Sequence, residues 1–168
     1  MKKYLLLTAL TILLLACNQQ QRYTQNSPEI DIYKKSMKAY ENKNWDEYQS
    51  FYADTAKIVN NATIEKAITI DENVEENKKG AEQFDWDITD EEYEMVITDK
   101  GETWVNSWAV WKGTLKSTGK TYVIPFHITA RFVNNKIVTE FGYWDGSEGV
   151  KDSYEQKLKE LQNEAPTE

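Results

Sequence analysis

Three long β-type segments separated by short turn signals constrain the second half of the chain more than any other feature. Ser117–Lys120 and Asn134-Asn135 contain residue types that favour tight turns. Such short connections allow only antiparallel pairing between consecutive strands. We therefore predict a meander that is entered through a strand at Tyr93–Thr98 and whose long strands are Thr103–Leu115, Thr121–Val133 and Lys136–Trp144.

Helix signals dominate the first half of the chain. Ser27 before Pro28 is typical of a helix start, with a serine N-cap and proline at the first helical position. Asn44 with Glu47 three residues later predicts a second, short helix. The apolar face of the first helix is predicted to contain Ile30, Tyr33, Met37 and Tyr40. A strand is predicted at Ala56–Asn60, followed by an acidic helix that is capped by Asp71 and ends near Phe84. The last predicted helix has an apolar face with Val150, Tyr154, Leu158 and Leu161.

The N-terminus has the parts of a bacterial export signal. Lys2-Lys3 precedes an apolar run, Tyr4–Leu15, that is too short to span a bilayer. The sequence Leu-Leu-Ala ending at Ala16, followed by Cys17, resembles the lipobox of bacterial lipoproteins. That resemblance implies cleavage before Cys17 and diacylation of its sulfur. The alternative is an ordinary signal peptide with an unrelated cysteine.

The expected organisation follows from this signal. Residues 1–16 are a signal peptide, 17–26 a lipidated tether, 27–163 one folded domain and 164–168 a flexible tail. The membrane is the expected partner of lipidated Cys17, which places the protein in the bacterial cell envelope. Asn18 lacks the aspartate that retains enteric lipoproteins at the inner membrane, so the outer membrane is preferred.

Composition excludes several classes of function. The chain has 28 acidic and 20 basic residues, a formal net charge of −8, which argues against nucleic acid as a partner. A single cysteine excludes a disulfide within one chain, and one histidine with one cysteine leaves no His/Cys metal cluster. The sequence contains no nucleotide-binding or nucleophile-elbow motif. We predict no metal and no cofactor.

Several short motifs together resemble one family. They are Trp104–Thr114, Thr118-Gly119-Lys120, Val123–Pro125, Arg131–Val138 and Tyr143-Trp144-Asp145. As a set they resemble the second half of a SnoaL-like member of the NTF2-like superfamily, and the tyrosine-rich helix pair resembles its first half. The likeness covers about residues 28–146. Three features depart from the family. Asn134-Asn135 replaces a frequent Asp-Gly, and the long acidic segment Thr63–Asp90 does not align with the family. Ile128 occupies the place of a mid-strand acid found in steroid-isomerase-like members.

The resemblance implies an α+β cone, in which a curved antiparallel sheet wraps around the N-terminal helices and encloses a pocket. An extra C-terminal helix follows the sheet in this chain. Members of the family include isomerases, cyclases, dehydratases and domains that only bind or dimerise, so the fold alone leaves the function open.

Strand alternation predicts which side chains face the pocket. With one turn centred on Thr118 and a two-residue turn at Asn134-Asn135, Trp108 faces Ile128, and Ile128 faces Phe141. A slip of one residue in either hairpin would exchange the two faces. This register predicts an interior face with Trp104, Trp108, Val110, Phe126, Ile128, Ala130, Phe132, Phe141 and Tyr143. The predicted ligand-binding residues are Tyr33, Tyr40, Trp104, Trp108, Phe126, Ile128, Phe141 and Tyr143.

The same register places His127, Arg131 and Glu140 on the outer face. His127 could act as a general base, but on this face an interface or structural role is the stronger interpretation. In NTF2-like proteins the outer face often forms a dimer interface, so a homodimer through this face is expected.

Asp145 is the candidate acid or base. It lies at the end of the last strand, where the family often has an acid after an aromatic residue. The competing interpretation is a turn residue, because Asp-Gly-Ser is itself a turn signal.

Three functions remain open from the sequence. The leading one is non-catalytic: a pocket or sheet that binds a small apolar or aromatic ligand or a protein partner. The alternatives are a SnoaL-like isomerase, cyclase or hydrolase that uses Asp145 with Tyr40 or Tyr143, and a dimerising module with a filled cone. An open pocket with Asp145 buried beside a tyrosine hydroxyl would favour the enzyme. An open pocket without buried ionisable groups would favour ligand binding, and a filled cone would favour the dimerising module.

Overall fold

A single six-stranded sheet organises the protein. The computed structural model describes residues 22–164. The strands lie in the order β1-β3-β4-β5-β6-β2, and all neighbours are antiparallel except β2 and β6, which run parallel. Their bounds are β1 Tyr23–Thr24, β2 Tyr52–Asn60, β3 Phe84–Ile97, β4 Thr103–Leu115, β5 Thr121–Val133 and β6 Lys136–Trp144. The bounds of β4, β5 and β6 are those predicted from the turn signals.

Four helices accompany the sheet: α1 Pro28–Glu41, α2 Trp45–Ser50, α3 Ile70–Gln83 and α4 Ser147–Glu164, with a short 3₁₀ turn at Ile64–Lys66. The predicted caps of α1 and α2 are present. Ser27 Oγ accepts from the Ile30 N–H, and Asn44 Oδ1 accepts from the Glu47 N–H. The side chains of Asn44 and Glu47 also bind each other at 2.7 Å. Each cap satisfies backbone N–H groups that have no partner within the helix.

The core fills the space between the concave face of the sheet and the first three helices. Helix α1 contributes Ile30 and Tyr33, each 1% exposed, and the sheet contributes Ile58, Val105 and Ile137, each fully buried. This packing confirms the predicted α+β cone, a curved sheet wrapped around N-terminal helices.

The N-cap of helix α3 lies two residues before the predicted one. Thr69, not Asp71, is the N-cap, and Thr69 with Glu72 forms a reciprocal capping box. The following strand, β3, begins at Phe84 rather than at Tyr93. The acidic composition of this region concealed the first part of β3, because its charged side chains point to solvent while Trp86 and Ile88 are buried.

The two ends of the chain differ from the expectation. Tyr23 and Thr24 pair with Val96 and Met95, so the end of the expected tether is a strand of the sheet. Helix α4 forms as predicted, but Val150, Tyr154 and Leu158 are more than half exposed. The signal peptide and Cys17 lie outside the described residues. Within residues 22–164, no helix has the length and apolar character needed to cross a membrane.

The predicted strand pairing is wrong by one residue in both hairpins. Between β4 and β5 the loop holds five residues, 116–120, and includes Gly119 with φ +73°. It pairs Trp108 with His127 instead of Ile128. Between β5 and β6 the turn has two residues with positive φ, Asn134 and Asn135, as predicted.

The error in the second hairpin arises beyond this turn. Phe132 faces Ile137, but Arg131 faces Thr139, so Val138 is an extra residue, a β-bulge. Beyond the bulge every side chain of β6 points to the face opposite to the predicted one.

Candidate active site

A cavity of about 330 Å³ lies inside the cone, between the concave face of the sheet and helices α1, α2 and α3. A volume in this range suits a small-molecule site. Aromatic rings form most of its wall, with four aliphatic side chains beside them. The aromatic members are Tyr40, Tyr48, Tyr52, Trp111, Phe126 and Trp144, and the aliphatic ones are Met37, Ile88, Ile124 and Ile128.

Five polar side chains complete the lining. Asn60 reaches it from β2, and Asn73, Glu76 and Asn77 reach it from α3. Glu140 comes from the middle of β6 and is 5% exposed. It faces Ala130 on one neighbouring strand and the fully buried Ile58 on the other. An acid in such apolar surroundings is the least expected residue of the cavity.

Tyrosine hydroxyls hold the carboxylate of Glu140. Tyr52 donates to Glu140 Oε2 at 2.8 Å, and Tyr33 donates to the same oxygen at 3.5 Å. Both bonds use Oε2, and among residues 22–164 no hydrogen-bond donor reaches Oε1. Glu140 therefore keeps one oxygen available on a residue that lines the cavity.

The hydrogen bonds continue from Glu140 to helix α3. The hydroxyl oxygens of Tyr48 and Tyr52 lie 2.9 Å apart, and Asn73 Nδ2 donates to the Tyr48 hydroxyl at 3.1 Å. The hydroxyl of Tyr52 has one proton, which it uses in the hydrogen bond to Glu140. Tyr48 must therefore be the donor in the hydrogen bond between the two tyrosines. Asn60 closes the series by donating to Asn73 Oδ1 at 3.1 Å. Every donor in this series of hydrogen bonds points toward the carboxylate.

Burial controls the electrostatics of the group. It raises the pKa of Glu140 to about 7, because the charged form loses its hydration, and the bonds from Tyr52 and Tyr33 oppose this rise. Burial also raises the pKa of Tyr33, Tyr48 and Tyr52 well above the ordinary value, so these hydroxyls stay protonated at neutral pH. Glu140 is thus the group in this network that can exchange a proton near pH 7.

Two glycines make room for the tryptophans of the wall. A Cβ on Gly113 would lie 1.7 Å from the Trp111 indole, and one on Gly142 would lie 2.8 Å from the Trp144 indole. Each indole therefore lies over the glycine two residues away on the same face of its strand. These glycines leave the space that the two indoles occupy in the wall of the cavity.

The solved structures of other proteins identify this architecture. No family model matches the chain, and no curated protein matches its sequence. A proposed polyketide cyclase from Xanthomonas campestris pv. campestris matches with a TM-score of 0.61 and 16% identity, over 73% of this chain and 94% of that one.

Two further solved structures match. A protein of ketosteroid isomerase-like fold from Catenulispora acidiphila, in complex with trimethylamine, has a TM-score of 0.58 and 17% identity, over 73% of this chain and 89% of that one. An NTF2-like protein from Burkholderia xenovorans has a TM-score of 0.53 and 18% identity, over 73% and 93%. The chain has the NTF2-like fold. The resemblance seen in the sequence is confirmed at that level.

The NTF2-like cone brings together only some of the residues predicted to bind a ligand. Tyr40, Phe126 and Ile128 line the cavity, and Tyr33 lies behind it, bonded to Glu140. The expectation that four other aromatics line the pocket is wrong, because the corrected registers place them on the outer face of the sheet. These are Trp104 and Phe141, which stack on each other, and Trp108 and Tyr143, which are 42% and 47% exposed.

The outer face of the cone holds two of the three residues assigned to an interface. The His127 ring packs against Trp108 in a tilted arrangement at a centroid distance of 4.9 Å, and Arg131 pairs with Glu102 at 3.2 Å. Their role in a dimer stays a prediction. The placement of Glu140 beside them is wrong, since the bulge at Val138 turns it into the cavity.

Asp145 lies outside the cavity, which contradicts the geometry that an acid/base role requires. The residue is exposed, and its Oδ1 accepts from the Ser147 N–H at 2.9 Å. Hydrogen bonds from the side chain and backbone of Ser147 lower the pKa of Asp145. The competing interpretation of the sequence, a turn residue, describes this position.

Sequence reasoning missed most of the polar site. Glu140 was assigned to the wrong face, and Asn73 belongs to the segment whose helix was poorly predicted. One available signal was the isolated acid in the otherwise uncharged run Ile137–Trp144. Another was the pair Tyr48 and Tyr52, whose hydroxyls were not considered as partners for an acid.

Proposed function

We propose that the protein binds a small, largely apolar molecule in the cavity and transfers a proton to or from it with Glu140 as the acid/base group. The observation that supports this proposal is the carboxyl of Glu140, buried in the cavity wall with Tyr52 at 2.8 Å and a pKa raised to about 7. A general acid or base works best when its pKa is close to the ambient pH. Enzymes obtain such values for carboxylic acids by burial.

Each residue would have a distinct task. Ionised Glu140 would accept a proton through Oε1 while Tyr52 and Tyr33 hold Oε2, and the protonated acid would return the proton to another atom of the bound molecule. Trp111, Phe126 and Ile128 would orient the molecule and exclude water. A carbon atom next to a carbonyl group is the simplest proton donor that fits this scheme.

The fold is compatible with this proposal. Two of the matching structures carry the names polyketide cyclase and ketosteroid isomerase-like protein. The second was solved in complex with trimethylamine. Binding without chemistry remains the second candidate, and the open cavity of about 330 Å³ supports it equally well.

The test is proton exchange at carbon. Small cyclic ketones would be incubated with the protein in D₂O, and deuterium uptake beside the carbonyl would be followed by NMR. We expect faster uptake with the unaltered protein and a loss of about 10²- to 10⁴-fold in Glu140→Gln. Asp145→Asn is the matched control and should behave like the unaltered protein. Equal rates for Glu140→Gln and the unaltered protein would contradict the catalytic role, and ketone binding without any exchange would favour the second candidate.

We also propose that Cys17 carries lipid and fixes the domain to the cell envelope, with a preference for the outer membrane. The support is the run of export and lipobox signals in residues 2–17. Palmitate labelling of the full chain in a bacterial host should be lost in Cys17→Ser. Labelling that persists in this variant would exclude the anchor.

A homodimer through the outer face is a separate proposal. Trp108 and Tyr143 are exposed there, and large exposed aromatics are common at interfaces. Sedimentation should show a dimer that Trp108→Glu dissociates. A monomer at all concentrations would exclude it.

A further inference from the structure

The charged side chains that line the cavity are all acidic. Its ionisable carboxyl groups are Glu140 and Glu76, and none of the described lining residues is a lysine, arginine or histidine. The whole chain carries a net charge of −8, so its general field has the same sign. An anionic molecule would meet two acids in the cavity and no cationic side chain to pair with.

Six aromatic side chains surround these acids. The faces of Trp, Tyr and Phe attract cations through their quadrupoles, and recognition of alkylated ammonium groups by aromatic cages uses this attraction. The indoles of Trp111 and Trp144 lie close to Gly113 and Gly142 and line the cavity, so aromatic surface is available to a bound molecule. A desolvated cavity strengthens the attraction, since water no longer competes for the cation.

The polar groups of the cavity favour an organic cation over a metal ion. Hard metal ions require several oxygen ligands at once. Both polar atoms of the Asn73 side chain are already used, because Oδ1 accepts from Asn60 and Nδ2 donates to Tyr48. An alkylated ammonium group needs no such ligand set, only apolar surface and nearby negative charge.

We propose that the cavity selects a small organic cation, a molecule that carries an alkylated ammonium group, over a neutral or anionic molecule of the same shape. The inference rests on the proposed function in one respect, that the cavity binds a small molecule. In this arrangement the ammonium group lies against the Trp111 and Trp144 rings, and the carboxylate of Glu140 balances its charge.

The preference should depend on pH in one direction. The groups that face Glu140 are the hydroxyls of Tyr33 on α1, Tyr48 on α2 and Tyr52 on β2, and Glu76 of α3 lines the same cavity. The three tyrosines stay protonated, because burial raises their pKa. Glu140, with a pKa of about 7, becomes charged between pH 6 and pH 8. A cation should therefore bind more tightly as the pH rises through this interval, whereas a neutral molecule should not.

Three probes of equal shape test the proposal. Choline, 3,3-dimethylbutan-1-ol and 3,3-dimethylbutanoate share a trimethylated head group and differ in charge. Affinities would be measured by calorimetry and by the fluorescence of the cavity tryptophans at pH 6 and pH 8. We expect choline to bind about tenfold or more tightly than the neutral alcohol at pH 8, and the carboxylate to bind most weakly. In Glu140→Gln the advantage of choline should shrink and its pH dependence should disappear, while Asp145→Asn should keep both.

The outcomes separate the two proposals. If the neutral alcohol binds as tightly as choline or more tightly, the charge preference is wrong and the cavity still binds small molecules. If choline keeps its full advantage in Glu140→Gln, the cation binds elsewhere on the acidic surface and the inference is again wrong. If none of the three probes binds the unaltered protein, this inference fails, and small-molecule binding in the cavity is decided by the ketone experiment. The comparison of probes on the unaltered protein needs no variant, so poor folding of Glu140→Gln would not remove the test.

Discussion

The middle of β6 and the end of the same strand place two acids in opposite environments. Glu140 is 5% exposed, contacts tyrosine hydroxyls and has a pKa raised to about 7. Asp145, five residues later, is exposed, and hydrogen bonds from Ser147 lower its pKa. The two side chains have the same chemistry. Their difference shows that position relative to the wall of the cone decides which acid can exchange protons at neutral pH.

Stability as a function of pH should give the largest effect. The folded pKa of Glu140, about 7, lies above its ordinary value of 4.5, so the unfolded chain releases this proton at lower pH than the folded protein. Below pH 4.5 the carboxyl is protonated in both states and does not lower the free energy of unfolding. Between pH 4.5 and pH 7 the unfolded chain is ionised while the folded carboxyl keeps its proton, so the folded state progressively loses about 3 kcal/mol relative to Glu140→Gln, and this loss is complete above pH 7. Urea unfolding of both proteins at pH 4.5 and pH 8 measures this difference.

Asp145→Asn provides the matched comparison, with the opposite sign. The folded pKa of Asp145 is lowered, so its contribution to stability is present above its unfolded pKa and is lost as the pH falls. The unaltered protein should therefore lose stability relative to Asp145→Asn on acidification, by less than the Glu140 effect. If both variants changed stability with the same sign, the proposed difference between the two acids would be wrong.

Tyr52→Phe should have the next largest effect. The change removes the donor that lies 2.8 Å from Glu140 Oε2 and leaves the buried carboxyl with the longer bond from Tyr33. We expect a loss of about 2 kcal/mol in the free energy of unfolding at pH 8, where the carboxylate is charged, and a smaller loss at pH 5. The pKa of Glu140 should rise further, because Tyr52 holds it down.

Tyr143→Phe is the control for this change. Tyr143 lies on the outer face and is 47% exposed, so removal of its hydroxyl should leave the free energy of unfolding within about 0.5 kcal/mol. Equal losses for the two variants, or a loss for Tyr52→Phe that does not depend on pH, would show that Tyr52 acts through packing alone.

Gly142→Ala should have the smallest effect on stability and a clear effect on the cavity. The new Cβ would lie 2.8 Å from the Trp144 ring and 3.3 Å from Asn60 Oδ1, so the ring must shift. Overpacking of this kind costs about 1 kcal/mol or more. We expect weaker binding of any cavity ligand, measured by calorimetry.

Gly146→Ala is the partner control, since its Cβ would lie 3.8 Å from the same tryptophan, an ordinary contact. Unchanged ligand binding in Gly142→Ala would mean that Trp144 does not shape the cavity.

Local chemistry explains why much of the fold could be predicted. Ser27 and Asn44 cap their helices through their own side chains, and Asn134-Asn135 adopts positive φ at the predicted turn. These signals act over a few residues, so they can be recognised in the amino-acid sequence. They fixed the bounds of three strands and the start of two helices, and with the family resemblance they predicted the cone.

The site depends on features that no local signal carries. The bulge at Val138 decides that Glu140 faces inward, and a bulge depends on how the whole sheet curves rather than on the residue that forms it. The loop before Thr121 likewise pairs Trp108 with His127 instead of Ile128, and this register places Trp108 on the outer face of the sheet. The network around the carboxylate joins residues 33, 48, 52 and 73 to residue 140, and only tertiary packing brings them together.

Titration of Glu140 itself gives the decisive result. Carbon-13 NMR of the protein labelled at glutamate side-chain carboxyls would follow each resonance from pH 4 to pH 9, and Glu140→Gln would assign the one that disappears. A buried acid in the cavity wall should titrate with a midpoint near 7. A midpoint between about 4 and 5, the ordinary range for an exposed glutamate, would mean that Glu140 is hydrated and that the cone holds no acid suited to proton transfer at neutral pH.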